Sequence, residues 1–215
     1  MKVIEQTHEL ISLPDNLLET LEKAGRTCYK SEARITQDSA PKFVDMLVRK
    51  KHHAMIEFGD IIVRLTTNRG VTHEMVRHRL CSFAQESTRY VKYDGKMAFI
   101  RPVWSDKGLL GQWDQDGAIP ERLAQGDQIW LKSMLRAEAE YTQLIQEGWK
   151  AQAAREILPN SLKTEIVVKA NIREWRHIFA LRCAKSSHPQ MVALMQPLLA
   201  DLKSKLPVVF DDLNV

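Results

Sequence analysis

Apolar residues recur along this chain at two periods, and the switches between them set the expected architecture. Leu17, Leu18, Leu21 and Ala24 follow Pro14 and Asp15 at helical spacing, and Phe43, Val44, Leu47 and Val48 repeat that pattern after Pro41. Ile61, Val63 and Leu65 then alternate with Arg64 and Thr66, the period of a half-buried strand. Asn68, Arg69 and Gly70 supply a turn, after which Thr72 is placed to cap a short helix. Residues 104–126 are rich in Gly, Asp and Gln and predict a surface loop or linker. A long amphipathic helix follows, with Ile129, Trp130, Met134, Ala137, Tyr141, Leu144 and Ile145 on its apolar side. Beyond a turn at Pro159, Thr164 to Ala170 reads as a strand and Ile172 to Leu181 as a helix. Pro189 to Leu206 reads as a last helix interrupted near Pro197. Helices dominate and the strands are separated, which predicts an α+β domain.

Composition narrows the class without deciding the function. The 215 residues suffice for a substantial core, and 44% hydrophobic with 27% charged is ordinary for a globular protein. The 31 Lys and Arg exceed the 27 Asp and Glu by four, which can attract nucleotides but does not imply duplex DNA. Cys28, Cys81 and Cys183 are odd in number and far apart, so neither a disulfide framework nor a metal-binding pair is expected, and a reducing, cytoplasmic setting fits. The opening MKVIEQTHELISLPD breaks its apolar run with Glu5, Gln6, His8 and Glu9. No stretch approaches the ~20 apolar residues of a membrane span, so neither export nor anchoring is expected.

Candidate chemistry concentrates in RHRLCSFAQESTRY, residues 77–90, where Arg77, His78, Arg79 and Arg89 surround a polar run from Ser82 to Ser87. A solvated basic turn would account for it alone. A second arginine-rich region, with Arg155, Arg173, Arg176 and Arg182, favours anion binding. Asn171, Arg173 and His177 fall where a strand ends and a helix begins, a natural anion site. Ser87 can be read as a phosphate-binding hydroxyl or as a nucleophile served by His78, nine residues earlier. The flanking residues lack the Gly-x-Ser-x-Gly elbow of hydrolases. His52 and His53 beside Glu57 raise metal binding, but no H-x-x-x-H or clustered Cys pattern accompanies them, and no metal is expected. A nucleic-acid module would interleave aromatic platforms with its basic residues, and between residues 70 and 90 only Phe83 and Tyr90 qualify.

Arg77-His78-Arg79, seven intervening residues and Ser87 resemble the motif of the flavin-dependent thymidylate synthases. The similarity extends to His52 and Glu57 upstream and to the run RGVTHEMVRHR (69–79). It continues through AREILP (154–159), Asn171, Arg173, His177 and Leu181-Arg182, in order and spacing, so that it covers roughly residues 50 to 190. The resemblance implies a single α+β domain over residues 1–215, with helices packed on a small, mostly antiparallel sheet. It further implies a homotetramer with active sites at subunit junctions, each converting dUMP to dTMP. FAD is the implied cofactor, NADPH its reductant and methylenetetrahydrofolate the carbon donor.

By the same resemblance, Arg77, His78, Arg79, Asn171, Arg173 and His177 fall at flavin-contacting positions, with His52, Glu57 and Gln85 alongside. Glu74, Arg77, Gln85, Glu86, Ser87, Arg89, Arg155 and Arg182 fall at nucleotide-contacting positions. The family places the arginine matching Arg182 against the uracil ring, where it stabilises negative charge, and needs no enzyme nucleophile. A dinucleotide with two phosphates and a nucleotide with one would account for the repeated arginines. Two departures stand out: Ala54 and Ala84 occupy positions where many members carry Ser, Thr or Asn, and each removes a possible side-chain hydrogen bond to flavin or nucleotide.

Overall fold

The stretch from Pro14 to Arg49 folds into the helical pair that its spacing predicts, α1 (Leu17–Tyr29) and α2 (Ser39–Arg49). The protein is seen in a computed structural model that describes residues 1–93 and 97–215. Its chain divides into two units. The first comprises Met1–Thr7, Leu65–Met75 and Ala84–Ile166, and the second His8–Arg64, Val76–Phe83 and Val167–Val215.

In the second unit, α1 and α2 join a 3-10 helix (His53–Phe58) and three later helices, α6 (Ile172–Arg182), α7 (Pro189–Lys205) and α8 (Pro207–Phe210). Trp175 is fully buried at the centre, stacked on Phe179 at 5.7 Å, with Phe210 edge-on to Phe179 at 5.8 Å. The indole Nε1–H donates to the Ile61 carbonyl at 3.1 Å, so the ring packs without stranding its polar edge. The Gly59 carbonyl accepts the Ile172 N–H at 2.9 Å, which joins the end of the 3-10 helix to the start of α6, and the missing side chain leaves room for Leu17, whose Cδ1 would lie 2.7 Å from a Cβ there.

The expected interruption at Pro197 does not occur, because α7 runs through it. Pro197 is exposed, whereas Leu194, Met195, Leu198 and Leu199 around it are buried. A proline on the solvent face gives up a hydrogen bond where a helix curves anyway, and the buried face holds the helix together.

The first unit holds a three-stranded sheet in which β1 (Lys2–Ile4) runs parallel to β5 (Ala98–Ile100) and antiparallel to β6 (Gly111–Gln112). The long helix α4 (Gln125–Gln146) buries Leu131, Met134, Leu135 and Tyr141 in a cluster with Val3, Phe99 and Leu162, and the short α5 (Ala151–Ala154) follows it. Within 104–126, Leu109 and Leu123 are buried in the same cluster, and Lys107–Leu109 forms a 3-10 turn.

A four-stranded sheet takes the order β2-β3-β7-β4, with β2 at Thr7–Ser12, β3 at Asp60–Asn68, β7 at Lys163–Asn171 and β4 at Ser82–Gln85. Hydrogen bonds from Arg69 N to Asn160 O at one end and from Ile172 N to Gly59 O at the other show that β3 and β7 are antiparallel. Both strands bury alternate residues, Ile61, Val63, Leu65 and Thr67 on one and Thr164, Ile166, Val168 and Ala170 on the other.

The residues expected to form a turn at Asn68–Gly70 instead begin α3 (Arg69–Met75). Asn68 Oδ1 accepts the Val71 N–H at 2.9 Å, so Asn68 is the cap. Thr72, expected in that role, lies inside the helix and donates to the Arg69 carbonyl at 3.0 Å. Among the described residues no helix is long and apolar enough to cross a membrane.

Candidate active site

A cleft of about 710 Å³ in the second unit is built on the start of α6. Asn171 ends β7 and caps α6, its Oδ1 accepting the Glu174 N–H at 2.9 Å. From the cap and the first two turns Asn171, Arg173, Arg176 and His177 line the cleft, with His53 and Glu57 also on its lining and Leu80, Ala180 and Leu213 as its apolar surface. Arg173 Nη1 donates to Glu57 Oε1 at 2.5 Å, and both groups are about half exposed. Arg176 is held by both oxygens of Asp212, each at 2.6 Å, and by the Val209 carbonyl. That guanidinium, by hydrogen bonding first, keeps the Asp212 carboxyl below its usual range, while burial and then Arg176 and Arg173 lower the His53 imidazole.

His78 lies in the interior of the same unit, between α6 residues two turns apart. A tight turn, closed by the Cys81 N–H on the His78 carbonyl at 3.1 Å, leaves Arg77, Arg79 and Leu80 exposed and directs His78 inward. Its Nδ1 is 3.2 Å from Glu174 Oε1, and its Nε2 accepts from Arg182 Nε at 3.0 Å. Arginine keeps its proton, so Nε2 carries the lone pair, and Nδ1–H donates to Glu174. Burial, then Arg182 and His177, push His78 down to about 4, while burial raises Glu174. Burial and then the Glu174 charge also push the nearby Cys81 thiol up to about 12.

His78, Glu174 and His177 bring three potential metal-ligand atoms within 4.8 Å of one another. The hydrogen bonds argue against that use, since the Nε2 lone pair of His78 is held by Arg182 and its Nδ1 proton by Glu174. A cation there would also face the Arg182 charge.

A smaller pocket of about 310 Å³ lies in the first unit, lined by Arg69, His73, Thr88, Arg155, Glu156, Leu158 and Asn160. Nη1 of Arg69 is buried without a hydrogen-bond partner among the described residues. A buried guanidinium nitrogen in that state costs about 1 to 3 kcal/mol, and an anion would relieve it. Arg155 stands 3.6 Å from Glu156.

His52 does not line the cleft; it is exposed and bonded through Nδ1 to Tyr29 Oη at 2.6 Å, while its neighbour His53 lines the wall. Gln85 donates to Thr72 Oγ1 at 2.9 Å and Thr164 Oγ1 at 3.2 Å. The Glu86 carboxylate is taken up inside the unit, accepting from Tyr93 Oη at 2.7 Å and Lys163 Nζ at 3.2 Å. Ser87 is half-buried, and its Oγ accepts the Arg89 N–H at 3.4 Å. Arg89 is exposed and lies over the Tyr90 ring, and Glu74 is half-buried on α3. Ala54 and Ala84 are exposed.

Sequence reasoning passed over Arg69, His73 and Thr88 in the pocket, and His53, Glu174 and Leu213 in the cleft. Arg69 had a usable signal, a cation directly after a strand, and His53 belonged to a histidine pair. Glu174 and Leu213 had none, since tertiary packing alone brings them in.

These arginine-lined cavities, in an α+β frame with a capped helix start at one of them, define a protein suited to anionic ligands that carry planar rings. The sequence profile of the family described as thymidylate synthase complementing protein matches residues 9–208. A flavin-dependent thymidylate synthase of Corynebacterium efficiens is 30% identical over 205 residues, covering 91% of this chain and 79% of that protein. One from Mycobacterium avium is 29% identical over 202 residues, with the same coverage. Two solved structures share the fold. A UMP/dUMP methylase of Streptomyces cacaoi, bound with 5-Br dUMP, has a TM-score of 0.73 at 23% identity and covers 98% of this chain and 96% of its own. Thymidylate synthase X of Helicobacter pylori, with FAD and dUMP, has a TM-score of 0.75 at 18% identity and covers 96% and 98%. The chain belongs to the flavin-dependent thymidylate synthase family, and it is an enzyme with the α+β fold expected from its sequence.

Proposed function

We propose that this enzyme methylates dUMP to dTMP, with methylenetetrahydrofolate as carbon donor and NADPH as reductant, and that residues 1–215 act as one synthase domain. The observation that carries the reading is the sorting of its candidate ligand-binding residues into two cavities. Glu57, Asn171, Arg173 and His177, all at flavin-type positions, line one cleft, while Arg155, at a nucleotide-type position, lines a separate pocket with Arg69.

The donor set suits FAD. Arg173 offers charge for a phosphate, Asn171 and His177 hydrogen bonds, and Leu80, Ala180 and Leu213 apolar surface for a ring system, while Arg176, held by Asp212, shapes the wall. Held by these residues, FAD would supply the redox chemistry that the reaction needs, with NADPH as the reductant. Arg77, Arg79, His52 and Gln85 complete the flavin-binding set. Both ring nitrogens of His78 are engaged, so any hydrogen bond it makes to flavin comes from its backbone.

For the nucleotide, Arg155, Arg89 and Ser87 bind phosphate, joined by Arg69, whose orphaned Nη1 gains an acceptor. Glu74, Arg77, Gln85 and Glu86 shape the remainder; with its carboxylate occupied, Glu86 acts by holding the strand end. Arg182 faces the uracil and stabilises the negative charge that develops on it, which makes the ring carbon nucleophilic enough to attack the carbon donor. No side chain forms a covalent bond to substrate. Ser87 has no base in His78, whose nitrogens are both taken.

The purified protein is expected to be yellow, or to become so with added FAD, and denaturation should release FAD identifiable by chromatography. A colourless protein that takes up no FAD overturns this reading. We also propose a homotetramer with shared active sites. Light scattering on dilute protein should give four times the 24.7 kDa chain mass, and a fully active monomer would contradict the shared site.

A further inference from the structure

We infer that Glu174 and His78 are positioning residues for Arg182: the Glu174 carboxylate holds His78 as its Nδ1–H tautomer, and the lone pair thus presented at Nε2 orients the Arg182 guanidinium through its Nε–H. The inference rests on the reading of Arg182 as the residue that acts on the uracil.

The geometry is specific to one protonation state. His78 spans the gap between Glu174 and Arg182 with bonds of 3.2 Å at Nδ1 and 3.0 Å at Nε2. The opposite tautomer would turn an N–H toward the Arg182 N–H and a lone pair toward the carboxylate, and both bonds would become repulsive. The imidazolium would keep the Glu174 bond but set N–H against N–H at Arg182. Only the Nδ1–H form satisfies both ends.

The surroundings enforce the choice. The His78 and Glu174 side chains are only 4% and 7% exposed, so neither can turn to water for a substitute partner. Glu174 and Arg182 lie eight residues apart on α6, about 12 Å along a helix, too far for a direct ion pair without His78 between them. The helix cap adds a second constraint, since the Glu174 N–H is itself held by Asn171 Oδ1 at 2.9 Å, which fixes the origin of the carboxylate. His177, edge-on to His78 at 5.7 Å between ring centroids, limits rotation of the imidazole. A bond at Nε sets the plane of a guanidinium, and charge stabilisation of a planar ring depends on that plane.

The test uses the FAD-loaded enzyme labelled with ¹⁵N-histidine. In the wild type, His78 should show a protonated Nδ1 and a lone-pair Nε2. Glu174→Ala should shift it toward the Nε2–H tautomer and lower kcat by about tenfold or more, with a smaller change in KM for dUMP. Glu174→Gln, whose amide oxygen can still accept from Nδ1–H, should recover the tautomer and much of the turnover. In an Arg182→Ala background, Glu174→Ala should produce no further loss of kcat, because its effect runs through Arg182. A structural role alone would lower thermal stability and add its loss in either background.

His78 found as the Nε2–H form or as imidazolium in the folded wild type overturns the proposal. So does a Glu174→Ala enzyme with unchanged tautomer and turnover. Should Glu174→Ala fail to fold, the wild-type spectrum and Glu174→Gln still decide. If the tautomer behaves as expected while Arg182→Ala alone retains full turnover, the positioning contact stands and the reading of Arg182 fails, so the two are separable.

Discussion

Arg182→Ala is expected to lower turnover by a factor of about 10² to 10³ even at saturating dUMP, the usual cost of removing one group that stabilises developing charge. Ser87→Ala is expected to weaken dUMP binding by about 1.5 to 3 kcal/mol, the range of a hydrogen bond to a charged group, and to leave measurable turnover. The contrast follows from the place proposed for each group. A hydroxyl that only binds phosphate stabilises ground state and transition state alike, so its loss appears in affinity. A cation beside the uracil is needed most when the ring becomes anionic, so its loss appears in kcat. Arg182→Lys should rescue poorly, because an ammonium has no Nε–H in a rigid plane to meet His78 Nε2, now 3.0 Å from that group. The measurements are dTMP formation with FAD, NADPH and methylenetetrahydrofolate, and calorimetric dUMP binding for each variant. If Ser87→Ala binds dUMP normally yet forms no product, while Arg182→Ala keeps its turnover, the roles are reversed.

The parts of the fold legible in the sequence are those whose burial is periodic over several residues. β3 and β7 bury every second residue and α1 and α2 one stripe each, and all four appear where alternation or helical spacing placed them. β1, β5 and β6 were invisible because they run two or three residues, too short to show a period, and rest on distant pairing, as of Lys2 with Ala98. β2 was missed because its residues are only half-buried or exposed, and its sequence THELIS shows no alternation.

In the candidate site, Asn171, Arg173 and His177 could be read because a strand end and a helix start place them together. The inward position of His78 could not be read. The run RHR carries no mark of which member a tight turn will bury, and the carboxylate that meets His78 is Glu174, far along the chain on α6. The unpaired Arg69 nitrogen was likewise beyond reach, since an absent acceptor is a property of packing.

Folding stability should fall by about 3 kcal/mol more in the wild type than in His78→Gln as pH drops from about 6.5 toward 4. The cause is the depressed affinity of His78 for a proton. Burial, with Arg182 and His177 adding to it, brings its pKa from the ordinary 6.5 to about 4 in the folded chain. Above 6.5 both the folded and unfolded states hold a neutral imidazole, and the bonds to Glu174 and Arg182 stand at full strength. Between 6.5 and 4 the unfolded chain gains a proton that the folded chain refuses, so stability is lost as pH falls through that window. Glu174 works in the opposite sense, because burial raises its pKa and the folded state then takes up a proton more readily. Asp212, held low by Arg176, loses its contribution on acidification in both proteins and cancels in the comparison. Urea unfolding at fixed protein concentration, from pH 7 to 4.5, should therefore give the wild type a slope steeper than His78→Gln by up to about 1.4 kcal/mol per pH unit, one proton's worth. A proton-NMR titration of His78 in the folded enzyme provides the direct check. A midpoint near 6.5, or parallel stability curves for the two proteins, would show that His78 meets water and that its bonds to Glu174 and Arg182 do not hold in solution.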